Sequence, residues 1–357
     1  VLIDFSAPAA LAANLSAARG AAVPIVVGTT GLTAEHHRMI EDAAAAIPVL
    51  QAANMSLGVN LLVHLVREAA ARLAEEWDID WLIDTTVKAV EFAVGENLPV
   101  MMVTEDTIRA KPQDIEKLYT AAIEAGASRV CVCDTVGHAT PWGARNLVRF
   151  VRELVDRVNP EVGVDWHGHS DRGLGVINTI AALEAGADRV HGCAIGIGER
   201  VGNTPLDQLM VNLKLMGWID NDLRKMPDYL GAVSRATGVP VPDQYPVFGR
   251  DAFRTGTGVH AAAIIKAKKK GSDWLADRVY SGVPAELFGL EQIIEIGPMC
   301  GLSNVQYWLD HHGYGADEQL AKALFEKAKK SDRILTDEEL HQEARGWQSP
   351  NMTAPSH

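Results

Sequence analysis

His167 and His169 stand two residues apart at the end of the run Val162-Gly163-Val164-Asp165-Trp166-His167-Gly168-His169. Its alternation of apolar and small residues predicts a strand, and side chains two apart on a strand share a face. Two neutral imidazoles on one face suit a divalent ion of borderline softness. The other reading of a bare His-x-His is a pair that merely finishes a strand. From Val176 to Leu183 the pattern turns helical, so the pair lies where a strand gives way to a helix. Strand–helix repeats build their sites at that end of the sheet.

The elements needed to hold such a site are legible on either side. Pro99 to Val103, Val130 to Cys133 and Arg189 to Ile195 read as further strands, each followed by a helix. Each carries its polar residues at its C-terminal end: Glu105-Asp106-Thr107, Asp134-Thr135-Val136-Gly137 and Gly196-Ile197-Gly198-Glu199-Arg200-Val201-Gly202-Asn203. That distribution is expected of a barrel enzyme with its chemistry on one rim. Upstream, Val1 to Phe5, Pro24 to Gly28 and Pro48 to Ala52 read as three more strands. Helices are expected after Ser6 and Pro8, from Thr33 to Ala46, and around Leu61, Leu62, Leu65 and Val66. Such alternation implies a parallel sheet. Val1 lies directly in a strand, which reads as a start inside a domain.

The chain has 357 residues, 47% of them apolar and 22% charged, with a net charge of −13. These values describe a globular protein with ample core. The acidic balance argues against a nucleic-acid backbone as partner, because phosphate binding needs clustered Lys and Arg. The short basic run Lys266 to Lys270 reads as a solvated helix face. No stretch approaches the ~20 apolar residues of a membrane span. Cys131, Cys133, Cys193 and Cys300 lie in or beside apolar runs, and read as reduced core thiols of a cytoplasmic protein.

From about Leu73 onward the chain resembles α-isopropylmalate synthase and homocitrate synthase, the condensing branch of the metal-dependent barrel lyases. The resemblance rests on Glu105-Asp106-Thr107, Asp134-Thr135-Val136-Gly137, His167-Gly168-His169-Ser170-Asp171-Arg172-Gly173 and Gly196 to Asn203, in that order. It implies that His167, His169 and Asn203 bind a divalent ion (Mg²⁺, Mn²⁺ or Zn²⁺). It also implies that Glu105 and Thr135 meet a 2-oxo acid such as 2-oxoisovalerate, condensed with acetyl-CoA as in leucine biosynthesis. Ser170 replaces the asparagine usual after the second histidine. The Arg-Asp pair that the family carries on its first barrel strand has no counterpart before Leu73.

The first seventy residues resemble a different family, dihydrodipicolinate reductase. Ile3-Asp4-Phe5, Gly28-Thr29-Thr30-Gly31 and Ala52-Ala53-Asn54-Met55-Ser56-Leu57-Gly58-Val59-Asn60 carry that likeness. The glycine-rich turn that holds a dinucleotide pyrophosphate is absent, so a scaffold role is the better reading of this segment. Three strand candidates plus four fall one short of a closed eight-stranded barrel. The expected architecture is α/β: a Rossmann-like βα segment (1–72), a partial TIM barrel carrying the metal site (73–217), and small, mainly helical subdomains (218–357). This is a chimera-like arrangement, for which metal binding without catalysis is the alternative to activity.

After Met216 the strand–helix rhythm stops. Thr255-Gly256-Thr257-Gly258-Val259-His260 and Tyr280-Ser281-Gly282-Val283-Pro284 resemble the synthases' small subdomains, which implies that His260 and Tyr280 assist catalysis. A helix-cap role is the other reading of His260. Ile293 to Ile296 and Val305 to Leu309 are apolar runs expected to be buried against a second copy in a homodimer. Helices capped by Asp317 and Thr336 follow, then a polar tail.

Overall fold

The computed structural model describes residues 1–4, 6–51, 78–315 and 317–347. The expected loop at 52–60, the helix after it, the junction at 72/73 and the polar tail lie outside the described residues. The chain divides into two compact units, Val1–Pro99 and Val100–His357.

In the first unit β1 (Leu2–Asp4), β2 (Ile25–Val27) and β3 (Val49–Gln51) form a parallel sheet in that order. Helices α1 (Leu11–Gly20), α2 (Ala34–Ala44) and α3 (Ile79–Gly95) are the α-helices among its described residues. Leu11, Leu15 and Ala18 of α1 and Ile40 and Ala43 of α2 pack with Ile25 and Val27 into one apolar cluster. Thr33 caps α2, its hydroxyl accepting from His36 N. Ser6 does not cap the first helix. Its hydroxyl donates to Asp4 Oδ1 at 2.5 Å, and a short 3₁₀ turn from Pro8 to Ala10 precedes α1 instead. The competing local acceptor captured the cap.

The second unit contains a four-stranded parallel sheet: β4 (Met101–Val103), β5 (Arg129–Asp134), β6 (Gly163–Gly168) and β7 (Arg189–Val190), again in chain order. Helices α4 (Pro112–Glu124), α5 (Pro141–Val158) and α6 (Gly175–Glu184) alternate with its strands. They pack through Ile115, Tyr119, Val148, Val151, Leu154 and Ala182 onto Val130, Val132, Val164 and Trp166 of the sheet. The pleat places the alternate residues on the opposite face. There the register sets Cys131 beside Asp165 and Cys133 beside His167, with Asp165 also beside Arg189. One face is thus apolar up to Asp134, and the other carries Arg129, Asp165, His167 and Arg189 among Met101, Val103 and the two cysteines. This is the βα-barrel pattern, in four consecutive strands.

The last strand is shorter than expected. β7 stops at Val190, and Ala194–Gly196 form a 3₁₀ turn in which Ile195 takes a left-handed φ of 58°. Asp207, buried in the first turn of α7 (Leu206–Leu215), explains it: its carboxylate accepts from Ile195 N at 2.7 Å. A β-branched residue adopts that conformation only when its surroundings impose it.

Beyond α8 (Met226–Thr237), two-residue strands β8 (Arg254–Thr255) and β9 (Ile293–Ile294) pair where only loop was expected. Helices α9 (Gly258–Lys269), α10 (Asp273–Ala276), α11 (Leu302–His311), α12 (Glu318–Lys330) and α13 (Asp337–Gly346) follow. Asp317 and Thr336 are the N-caps of α12 and α13, as the sequence predicts. The apolar runs do not await a partner. Ile296, Val305, Trp308 and Leu309 are buried against Leu320, Leu324, Leu335 and Leu340 of the same chain. The expectation that these runs cover a dimer interface is therefore corrected: the last two helices supply the missing core.

Candidate metal centre

Rim loops at the C-terminal ends of β4 to β7 carry the candidate residues, and hydrogen bonds tie several of these loops to their neighbours. Glu105 follows β4 and is exposed, with no hydrogen bond or ion pair among the described residues. Next to it, Asp106 has a left-handed φ of 56°, and its N–H donates to Thr135 Oγ1 at 2.7 Å. Thr135 therefore keeps its own O–H free to donate. Asp134, at the end of β5, is buried, and burial pushes its pKa up. Its carboxylate accepts from His138 N and Ala139 N, which closes the turn. Gly137 has φ 59°, and a Cβ there would meet Asp171 N at 2.6 Å. The β5 and β6 loops are in direct contact through that glycine.

His167 lies within β6, while His169 sits just past its end in an isolated bridge to Asn203. Their ring centroids are 5.2 Å apart. Two imidazoles sharing a tetrahedral ion at about 2.0–2.1 Å from each nitrogen have centroids roughly 5 Å apart. Burial, then His191 and His169, hold the His167 pKa down to about 4, so its ring is neutral at ordinary pH. His169 Nδ1 is buried without a hydrogen-bond partner, a cost that a bound ion would remove. Asn203 Nδ2 donates to Ile197 O at 3.0 Å and lies 3.3 Å from Cys193 Sγ. Its Oδ1 is left as an acceptor. Two imidazole nitrogens and an amide oxygen fit a divalent ion of borderline character.

Among the described residues, no group of three His, Cys, Asp or Glu side chains forms a metal-holding set. Asp4, at the end of the first strand, uses Oδ1 locally, accepting from Ser6 N at 3.0 Å and from Thr29 Oγ1 at 3.2 Å, while its Oδ2 is buried without a hydrogen-bond partner. Asn54 and Ser56 lie outside the described residues. Ser170, the departure from the family pattern, has work of its own. Its N–H donates to Gly202 O and its hydroxyl to Asn203 O, both at 3.0 Å, tying the His169 loop to the Asn203 loop.

Two features escaped the sequence reading. His191 stands next to His167, with ring centroids 5.5 Å apart, and its Nε2 is 3.1 Å from Asp165 Oδ2. The alternation Arg189, His191, Cys193 was the available signal, obscured because the strand ends at Val190. Arg200 pairs with Asp171 through Nε at 2.7 Å and Nη2 at 3.0 Å, and Nη2 also donates to Thr135 O at 2.6 Å. One guanidinium thus joins three rim loops, and it draws the Asp171 pKa down. Cys131 and Cys133 are buried free thiols with Sγ atoms 3.8 Å apart. The neighbouring thiol and burial push Cys131 up, which makes it an inert core residue.

His260 and Tyr280 stack on one another, with centroids 4.2 Å apart and 28° between planes. Both are exposed. No hydrogen bond or ring contact joins them to His167 or His169 among the described residues.

The sequence matches the HMGL-like family over residues 27–229. That span includes the rim residues and most of the segment with reductase-like motifs. The chain is 33% identical over 253 residues to the (R)-citramalate synthase of Methanocaldococcus jannaschii, covering 70% of this chain and 48% of that protein. Against the probable 2-isopropylmalate synthase of Methanopyrus kandleri it is 33% identical over 249 residues, covering 69% and 47%. Against the homocitrate synthase of Pyrococcus horikoshii it is 27% identical over 347 residues, covering 89% and 90%. The chain thus spans about half the length of the first two relatives and most of the third. With more than half of its length inside the family match and the paired histidines at its centre, this chain belongs to the HMGL-like family.

Proposed function

We propose that this protein condenses acetyl-CoA with a 2-oxo acid, 2-oxoisovalerate being the first candidate. The observation that carries the reading is the close His167–His169 pair, with His169 bridged to Asn203, on a rim that also presents Thr135 and Glu105. His167, His169 and Asn203 would hold a divalent ion, which would supply Lewis-acid polarisation of the oxo-acid carbonyl. The Thr135 hydroxyl donates to the oxo acid and orients it. Glu105, or His260 supported by Tyr280, takes a proton from the acetyl methyl group. The resulting enolate carbon bonds to the carbonyl carbon, and the carbonyl oxygen becomes a hydroxyl by gaining a proton. Water then cleaves the thioester, releasing a carboxylate and free CoA thiol.

His260 and Tyr280 reach such a site from a second copy in this reading. Val259 and Met299, 71% and 69% exposed, continue the same surface. A homodimer burying more than ~2,000 Å² is expected, and light scattering that finds a monomer at micromolar concentration refutes it. The three-part organisation 1–72, 73–217 and 218–357, with a reductase-like first part and cytoplasmic location, belongs to the same proposal.

The test is CoA-thiol release from acetyl-CoA, with a panel of 2-oxo acids and with Mg²⁺, Mn²⁺ or Zn²⁺. Release that requires both an oxo acid and a metal supports the proposal, and identifies the acid. One observation favours a second reading, a metal-binding chimera without catalysis: no described carboxylate completes the pair of histidines. Metal binding by His167 and His169 with no release across the panel would establish that reading. A reductase reading requires dinucleotide affinity, and NADPH binding weaker than ~100 μM in a fluorescence titration would count against it.

A further inference from the structure

A second group of histidines lies in the C-terminal helices and plays no part in the proposed reaction. His311 and His312 end α11, and His341 projects from α13. The ring centroids of His312 and His341 are 5.0 Å apart at 82°. That spacing matches the roughly 5 Å between imidazoles that share a tetrahedral ion. Each ring is already fixed by its other nitrogen. His312 Nδ1 is 2.8 Å from Trp308 O, and a carbonyl only accepts, so Nδ1 carries the proton and Nε2 the lone pair. His341 Nδ1 is 2.8 Å from the Tyr314 hydroxyl. No hydrogen bond to either Nε2 occurs among the described residues.

Metal-binding histidines are typically held in this way, with the far nitrogen bonded to a carbonyl or hydroxyl that sets tautomer and orientation. The supporting groups are themselves anchored. Trp308 is buried, stacks on His312 with centroids 4.3 Å apart, and donates from Nε1 to Asp337 Oδ1 at 3.0 Å. Asp337 lies one helical turn before His341. Trp308 and Tyr314 also stack on each other, at 5.7 Å. The two imidazoles are therefore presented by an ordered aromatic platform, not by free surface side chains. This reduces the side-chain entropy lost when they bind.

We infer that His312 and His341 form a two-imidazole site for a borderline divalent transition ion, Zn²⁺ or Cu²⁺, that clamps the end of α11 to α13. Water would complete the coordination. Hard ions such as Mg²⁺ and Ca²⁺, which demand oxygen ligands, should not bind there.

The experiment uses the full chain carrying His167→Ala and His169→Ala, so that the rim pair contributes nothing. Calorimetric titration with Zn²⁺ and Cu²⁺ should show one equivalent bound. His312→Gln and His341→Gln should each weaken binding at least ~10-fold, since losing a ligand costs no less than losing an outer-shell partner. His311→Gln should weaken it less. Cu²⁺ should also quench part of the tryptophan fluorescence, and Trp308→Phe should remove that fraction while binding persists. No binding in the parent chain, equal affinity in the glutamine variants, or a larger loss from His311→Gln than from His341→Gln would overturn the assignment. Because the rim histidines are absent throughout, failure of the proposed condensation leaves this result unaffected.

Discussion

The sheet rim and the end of α11 each gather three histidines, and they position them by different means. On the rim, His167 lies in β6 while His169 and His191 each sit one residue past a strand end, so backbone geometry spaces them, with centroids 5.2 and 5.5 Å from His167. At α11, His311, His312 and His341 stand 5.4 and 5.0 Å apart, and Trp308 packs on both His312 and His341 while His311 stacks on Tyr307. The rim rings sink into a polar face between packed strands, where burial keeps His167 neutral. The α11 group lies nearer to solvent. Backbone register places a pair almost independently of the residues around it, whereas side-chain packing places one only if distant segments arrive correctly. The first arrangement is robust to substitutions nearby, and the second depends on its neighbours.

That contrast can be broken or sharpened experimentally, beginning with the largest effect. Replacing His167 and His169 together with alanine should lower affinity for Mn²⁺ or Zn²⁺ at the rim by ~100-fold or more, and any CoA release should disappear. Equal affinity in calorimetry, measured in a chain that also carries His312→Gln, would remove the rim from consideration. Asp165→Asn comes next. The carboxylate is buried and meets Arg129, Arg189 at 2.8 Å and His191 at 3.1 Å. Neutralising it leaves the part-buried Arg129 without its counter-charge, at a cost of about 3 kcal/mol in urea unfolding; a cost below about 1 kcal/mol would show that water reaches that face.

Leu324→Ala probes the other region. The side chain is fully buried among Trp308, Leu309, Leu320 and Leu340, so the loss should be about 2–5 kcal/mol. The same variant should loosen the platform under His312 and weaken Zn²⁺ binding there, while rim affinity stays unchanged. Coupled loss at both sites would contradict two separate mechanisms of positioning. The smallest effect belongs to Asp171→Asn. Its pair with Arg200 is part-exposed, so the stability change should stay below ~1 kcal/mol. Arg200 also ties Thr135 into the rim, so the KM for the oxo acid should rise with little change in kcat; an unchanged KM would reduce the pair to surface decoration.

Much of the rim was legible in advance because its signals are local. A strand's two-residue period puts His167 and His169 on one side, and a helix start follows wherever the pattern changes. The N-caps Asp317 and Thr336 were equally readable, since a cap depends on the residues within one turn of it. Ser6 failed as a cap for the same reason: Asp4, two residues away, offered a better acceptor than the helix.

What the residues by themselves determined is therefore the order of strands, the polar and apolar faces they carry, and the paired histidines at a strand's end. Tertiary structure alone decided the rest. Asp207 had to fold back onto Ile195 to end the seventh strand early, and Arg200 had to reach Asp171 and Thr135 to join three loops. Trp308, Tyr314 and His341 meet only after two helices pack. Local pattern records how a segment can fold, because backbone geometry repeats every two or 3.6 residues. Contacts between residues tens of positions apart carry no such period, and only the packed core brings them together.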